Sequence, residues 1–202
     1  MAKIIIGIAG GIASGKSLAG KVANGLGFHA IETSDVIRSL LREEGEKAPD
    51  RDRCIQKAHQ LVKEYGPGVL GMFAAQEAIN SNKNQVAICG IRHPEQIKEI
   101  TRYFHNAFFL FMDIDPKVQK QRAVQRFKET NPKHTAKELD LFSQRIEQQI
   151  TDEGASEGNT SVHLPKTRQA SHVSINNSVL SKEHFSAVVE SLIQVPTQTL
   201  YR

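Results

Sequence analysis

Residues 10–17 read Gly-Gly-Ile-Ala-Ser-Gly-Lys-Ser, directly after the apolar run at 3–9. The spacing is G-x-x-x-x-G-K-[ST], with a strand pattern before it and a helix pattern after it. Glycines let backbone N–H groups turn inward around an anion, and the following helix N-terminus adds about half a unit of positive charge. A lysine at this position reaches β- and γ-phosphates, and the serine after it offers a hydroxyl to Mg²⁺. The stretch therefore reads as a nucleoside triphosphate site. Gly10, Gly11, Ile12, Ala13, Ser14, Gly15, Lys16, Ser17 and Leu18 surround the phosphates, with Lys16 as the catalytic cation and Ser17 as the metal ligand. Such a loop serves kinases, GTPases, transport-type ATPases and regulatory binders alike. The Asn/Thr-Lys-x-Asp that specifies guanine in switch GTPases is absent.

Three other segments carry charges suited to phosphate. IETSDVIRSLL (31–41) holds Thr33, Asp35 and Arg38, and AICGIRHPEQIKEI (87–100) holds Cys89, Gly90 and Arg92. MDIDPKVQKQRAVQR (112–126) sets Arg122 and Arg126 four apart on one helical face, where two cations repel unless an anion bridges them.

In this order the segments resemble those of adenylate-kinase-like P-loop proteins, which include nucleoside-monophosphate kinases and dephospho-CoA-kinase-like proteins. The resemblance covers about residues 3–193. It implies that Thr33, Asp35, Arg38 and Arg92 bind the acceptor, the arginine forks matching phosphate oxygens in pairs. It also implies catalytic roles for Arg92, Arg126 and Asp35, stacking of Arg122 on adenine, and Arg145 on the far side of a lid. Asp35 has a second reading, shared with Ser34, as a helix N-cap.

The chain departs from the family at Cys89, where an aspartate normally holds a water of the Mg²⁺ shell. A neutral thiol is a poor ligand for a hard cation. Asp35 or Asp113 is then a candidate for that carboxylate, Asp113 being otherwise part of the turn that caps the helix after Asp115-Pro116. GGIASGKS is the loop form common in dephospho-CoA kinases. Those proteins usually carry Asp-x-Asp after the second strand, where this chain has Glu32 and Ser34.

Elements able to position these groups follow from the patterning. The unbroken β-branched run at 3–9 predicts a buried parallel strand, and Leu18, Val22 and Leu26 predict a helix closed by Gly27. A strand at 28–32 precedes a helix with Ile37, Leu40 and Leu41 on its apolar face. Further helices are predicted near 53–65 and 68–81, the second opened by Gly66-Pro67-Gly68. A strand at 85–90 leads to a helix with Pro94 in its first turn. A strand at 107–114 leads to a charged helical region that runs to about Ile150 and breaks around 129–135. Residues 152–169 read as loop, 171–177 as the last strand and 181–193 as the last helix before a polar tail.

Alternation of this kind implies a three-layer α/β fold: a mostly parallel five-stranded sheet, helices on both faces and a helical lid. We expect a single domain over 1–202, with an acceptor-binding region at about 33–84 and the lid at about 122–150.

Composition sets the class. The chain has 202 residues, a net charge of +4 and no Trp, and it is globular in character. Its longest apolar stretches, IIIGIAG and AFFLFM, are far shorter than the roughly 20 residues a bilayer requires. No secretory leader is evident, and we expect a cytoplasmic protein. Cys54 and Cys89 lie outside metal-ligand spacings and read as buried thiols of a reducing compartment. His29, His93 and His134 belong to no ligand or catalytic motif.

The leading expectation is an ATP- and Mg²⁺-dependent kinase acting on a nucleotide-like acceptor, a nucleoside or deoxynucleoside monophosphate. Alternatives are dephospho-CoA kinase, and an ATP-binding protein with little transferase activity because of Cys89. Expected partners are small molecules rather than nucleic acid or membrane, in a monomer or small homo-oligomer.

Overall fold

The computed structural model describes residues 3–155 and 162–200. At its centre lies β1 (Ile4–Gly10), every residue of which is buried. β2 (His29–Glu32), β3 (Gln85–Ile91), β4 (Phe108–Asp113) and β5 (Val173–Asn176) complete one sheet in the order β2-β3-β1-β4-β5. Every pairing is parallel.

The two-residue period of β1 divides its side chains between two cores. Ile4, Ile6 and Ile8 pack on one face with Ala19 and Ala23 of α1 (Lys16–Gly25) and with Phe185, Val189 and Ile193 of α9 (Lys182–Leu200). Ile5 and Ala9 face the other way, toward Ala74 and Ala78 of α4 (Val69–Asn80) and Ile97 and Ile100 of α5 (Pro94–Tyr103). An unbroken apolar strand is thus what a sheet covered on both faces requires.

A third core joins α2 (Thr33–Glu43), α3 (Arg51–Tyr65) and α4 through Ile37, Leu41, Cys54, Leu61, Val62 and Leu70. The Gly66-Pro67-Gly68 turn has a packing reason. A side chain at Gly68 would meet Glu99 Cγ at 2.7 Å, so only glycine lets α4 begin against α5.

α6 (Pro116–Thr130) and α7 (Ala136–Gly154) form a hairpin at the carboxyl edge of the sheet. Phe127 stacks on Phe142 with ring centres 4.2 Å apart, and Lys120 pairs with Glu147 at 2.7 Å. Asp115 caps α6 by accepting from the N–H groups of Lys117 and Val118, and Thr135 with Glu138 forms a capping box on α7.

Three boundaries differ from expectation. The predicted loop at 152–169 contains the end of α7 and a further helix, α8 (Leu164–Ala170), opened by the His163 ring as cap and Pro165 in its first turn. Residues 156–161 of that loop lie outside the described residues. Neither Ser34 nor Asp35 caps α2: the helix starts at Thr33, with Glu32 in the cap position and no side-chain cap bond. The last helix continues past Ile193 to Leu200, beyond the apolar pattern that marks its end in the sequence.

No helix among the described residues is long and apolar enough to cross a membrane. All strands run the same way, so Gly10, Glu32, Ile91, Asp113 and Asn176 mark one edge, where open α/β sheets hold ligands.

Candidate active site

The phosphate loop leaves β1 at Gly10 and turns through Ala13 at φ 53° and Gly15 at φ 105° before α1 begins. Gly15 has two reasons to be glycine: its left-handed backbone, and Asn177 Nδ2 lying 2.5 Å from where a Cβ would stand. The same Nδ2 donates to the Ser14 carbonyl at 2.8 Å, which ties the loop to the residue just after β5. No side chain caps α1 and its first turn holds no acid, so its N–H groups are available to an anion. A cavity of about 220 Å³ opens here, lined by Ala13, Ser14, Gly15, Lys16, Ser17, Leu18, Arg122 and Arg126.

Lys16 turns its ammonium inward and donates to the Gly11 carbonyl. Burial of the ammonium, aided by the Arg92 charge, pulls its pKa down from 10.5 to about 7. Arg122 donates to the Asn177 carbonyl at 2.8 Å, so Asn177 touches both the loop and the α6 arginine. Arg126 is exposed at the cavity rim.

Beside the loop sits an acid with no counterpart in the sequence reading. Glu153, in the last turn of α7, is buried. Its carboxylate accepts from the Ile12 N–H at 3.1 Å, from Arg92 at 2.9 Å and from Gln149 Nε2 at 2.6 Å. Arg51, at the start of α3, donates to Gln149 Oε1 at 3.1 Å and feels the charges of Arg92, Glu153 and Arg126. Lys16, Arg51 and Arg92 therefore surround one carboxylate.

At the other side of the loop, the absent aspartate has a neighbour. Glu32 and Cys89 are register partners on β2 and β3, their side chains both beside Gly20 of α1, and the Cys89 thiol donates to the Ala87 carbonyl at 3.9 Å. Burial pushes the Cys89 thiol far up, so it stays protonated. Burial also raises the Glu32 pKa, opposed by the Lys16 charge. A side chain at Gly20 of α1 would meet Cys89 Sγ at 3.0 Å and Glu32 Oε1 at 3.7 Å.

Thr33 is buried and donates to the Gly90 carbonyl at 3.3 Å. Gly90 has φ 92° with no room for a side chain. Arg38 pairs with Asp35 at 2.5 Å and with Ser34 Oγ at 3.3 Å. The turn that carries Arg92 is held by Gln96 Oε1, which accepts from the Arg92 N–H at 2.9 Å.

Other candidates lie elsewhere. Arg145 is exposed on α7 and does not line the cavity. Asp113 pairs with Arg168 at 3.1 Å, and the capping role belongs to Asp115. His93 caps α5 by accepting from the Glu95 N–H, His134 packs on Phe127, and His29 lies on β2. Both cysteines are buried and free.

Glu153, Arg51 and Asn177 were not found from sequence. Asn177 sits in HVSINN, which patterning reads only as a strand, and Glu153 sits in a polar stretch read as loop. For Glu32 a signal existed: it is the last residue of the second strand, beside the third.

Comparison of the whole structure with solved ones decides the architecture. A shikimate kinase from Bacteroides thetaiotaomicron matches with a TM-score of 0.52 at 15% identity, over 98% of this chain and 99% of that one. A gluconokinase from Sinorhizobium meliloti matches with a TM-score of 0.52 at 14% identity, over 98% and 95%.

The chain has the P-loop kinase fold.

In sequence, this P-loop kinase fold is 30% identical over 104 residues to a UPF0200 protein of Methanothermobacter thermautotrophicus, 52% of each chain being covered. The chain spans about half the length of the curated relatives it matches. No protein-family model matches it.

Proposed function

We propose that this chain is a kinase that transfers the γ-phosphoryl group of ATP to a small, nucleotide-like phosphorylated acceptor, a nucleoside or deoxynucleoside monophosphate. The observation that carries the reading is the convergence of cations from separate segments on the phosphate loop: Lys16 from α1, Arg51 from α3, Arg92 after β3 and Arg126 from α6. A purely adhesive phosphate loop needs only its own backbone and lysine. Cations drawn from the far parts of the fold suit charge that spreads during in-line transfer.

In the transfer, an oxygen of the acceptor phosphate forms a bond to the γ-phosphorus while the bond to the β-phosphate oxygen breaks and ADP departs. The attacking oxygen is already anionic, so no side chain has to remove a proton. Lys16, Arg92 and Arg126 neutralise the moving charge, and Arg38 with Asp35 borders the acceptor side. Arg122 supports the nucleotide from the α6–α7 hairpin, which serves as the lid.

Mg²⁺ fits the donor set. Ser17 lines the cavity with a hard hydroxyl, and Glu32 supplies a carboxylate beside the neutral Cys89. Ser17 and Glu32 would hold the ion, which would supply positive charge to the phosphates. Glu32 thereby weighs against the reading of an ATP-binder disabled by Cys89.

The loop form GGIASGKS favours dephospho-CoA as a second acceptor. That acceptor is a ribose hydroxyl, which needs a base in reach, whereas a monophosphate does not. The test is a panel of nucleoside monophosphates, deoxynucleoside monophosphates and dephospho-CoA with ATP–Mg²⁺. ADP formation that depends on one monophosphate supports the proposal, and no phosphorylated product from any acceptor overturns it.

A further inference from the structure

A buried carboxylate is stable only when it is paired and hydrogen-bonded. Glu153 meets that need with groups that the proposed function gives to another anion: the Ile12 N–H of the phosphate loop, Arg92, and the electrostatic reach of Lys16 and Arg51. It is not a local helix pair. Glu153 lies 141 residues from Ile12 and 61 from Arg92, and α7 must end against the loop to deliver it.

The charges do not balance. One carboxylate faces Lys16, Arg51 and Arg92, whereas a terminal phosphoryl would bring about two negative charges to the same place. Space agrees with charge: a side chain on Gly11 would meet Glu153 Oε2 at 3.0 Å, so the carboxylate lies against the loop's own backbone.

We infer that the Glu153 carboxylate is a built-in stand-in for the terminal phosphoryl group: it holds the phosphate loop and Arg92 in place in the empty protein, and a triphosphate, but not a diphosphate, expels it. The inference rests on the triphosphate reading above and deepens it. Expulsion breaks the contacts of Glu153 with Ile12 and Arg92. It also frees Gln149, one turn earlier, which joins Arg51 to α7. The lid helix thereby senses whether a γ-phosphate is present, because only a ligand that binds the two states unequally shifts them.

The test compares the full chain with Glu153→Gln, titrating each with ADP and with a non-hydrolysable ATP analogue by calorimetry. The variant removes the competing charge, so it should bind the triphosphate about tenfold tighter while ADP affinity moves less than about threefold. Unchanged or weaker triphosphate binding overturns the inference, as does equal tightening for both nucleotides.

A measurement on the unmodified protein guards against a variant that folds poorly. Amide exchange over 146–155 should rise on adding the triphosphate analogue and not on adding ADP; exchange that stays level or falls with triphosphate overturns the inference. If neither protein binds any nucleotide, the kinase reading falls with it. If the unmodified protein binds the triphosphate and these differences are absent, only the stand-in falls.

Discussion

Glu32 and Cys89 stand as register partners on adjacent parallel strands, the carboxylate and the thiol both lying beside Gly20 of α1. On the proposed reading, the acid expected on the third strand is supplied here from the second. Glu32→Gln should reduce transfer about 10–100-fold and raise the Mg²⁺ concentration for half-maximal rate. Cys89→Asp should not restore anything: it sets two buried carboxylates side by side and should cost about 1–3 kcal/mol of stability. Steady-state kinetics against Mg²⁺ and thermal melts check both; a gain in turnover for Cys89→Asp would contradict the assignment.

Lys16 makes nucleotide binding pH-dependent. In the empty site it loses its proton near pH 7, and a bound triphosphate holds that proton on. Affinity should be level below about pH 7 and fall about tenfold per unit above it, with proton uptake at pH 8. Titration calorimetry in buffers of different ionisation enthalpy measures the uptake. The effect on folding has the opposite slope: the unfolded chain binds the extra proton between about 7 and 10.5, so the burial cost is full below that window and fades as pH rises.

Asn177 is a positioning residue. Asn177→Ala leaves the Ser14 carbonyl without its buried donor, which should cost about 1–3 kcal/mol. The backbone carbonyl that accepts from Arg122 is retained, so the loss falls on the phosphate loop alone, and the KM for ATP should rise more than kcat falls. A variant with lower melting temperature but unchanged KM would reduce Asn177 to a structural tie.

Gly90 is the tightest point between β3 and α2. Gly90→Ala forces a side chain into φ 92° with its Cβ 2.4 Å from Thr33 Oγ1, and should destabilise by about 1–3 kcal/mol. Thr33→Ala in the same chain removes the collision but not the backbone strain, so denaturant melts should show partial recovery.

The parts of this site that the sequence announced are those whose signal is local. The phosphate loop declares itself in eight consecutive residues, and the alternation of apolar runs with 3.6-period helices led directly to the parallel sheet. The α6–α7 break at 129–135 was legible because Pro132 and Thr135 are local stop and start signals. Glu153 and Asn177 were not, because their partners lie far away in the chain, and Glu153 sits in a stretch whose Gly and Ser content imitates a loop. Cap choice at α2 failed for a related reason: Ser34 and Asp35 are good caps by type, but the buried Thr33 is drawn into the helix by its contact with Gly90.

The clamp of Asn177 on Ser14 spans 163 residues and joins the phosphate loop to the residue just after β5. During synthesis the glycine-rich loop emerges well before the residue that fastens it. A ribosome-bound chain that stops short of residue 177 carries every residue of the loop without the contact that shapes it. On the proposed reading, a nascent chain that has not yet reached residue 177 should hold a triphosphate less firmly than one that has.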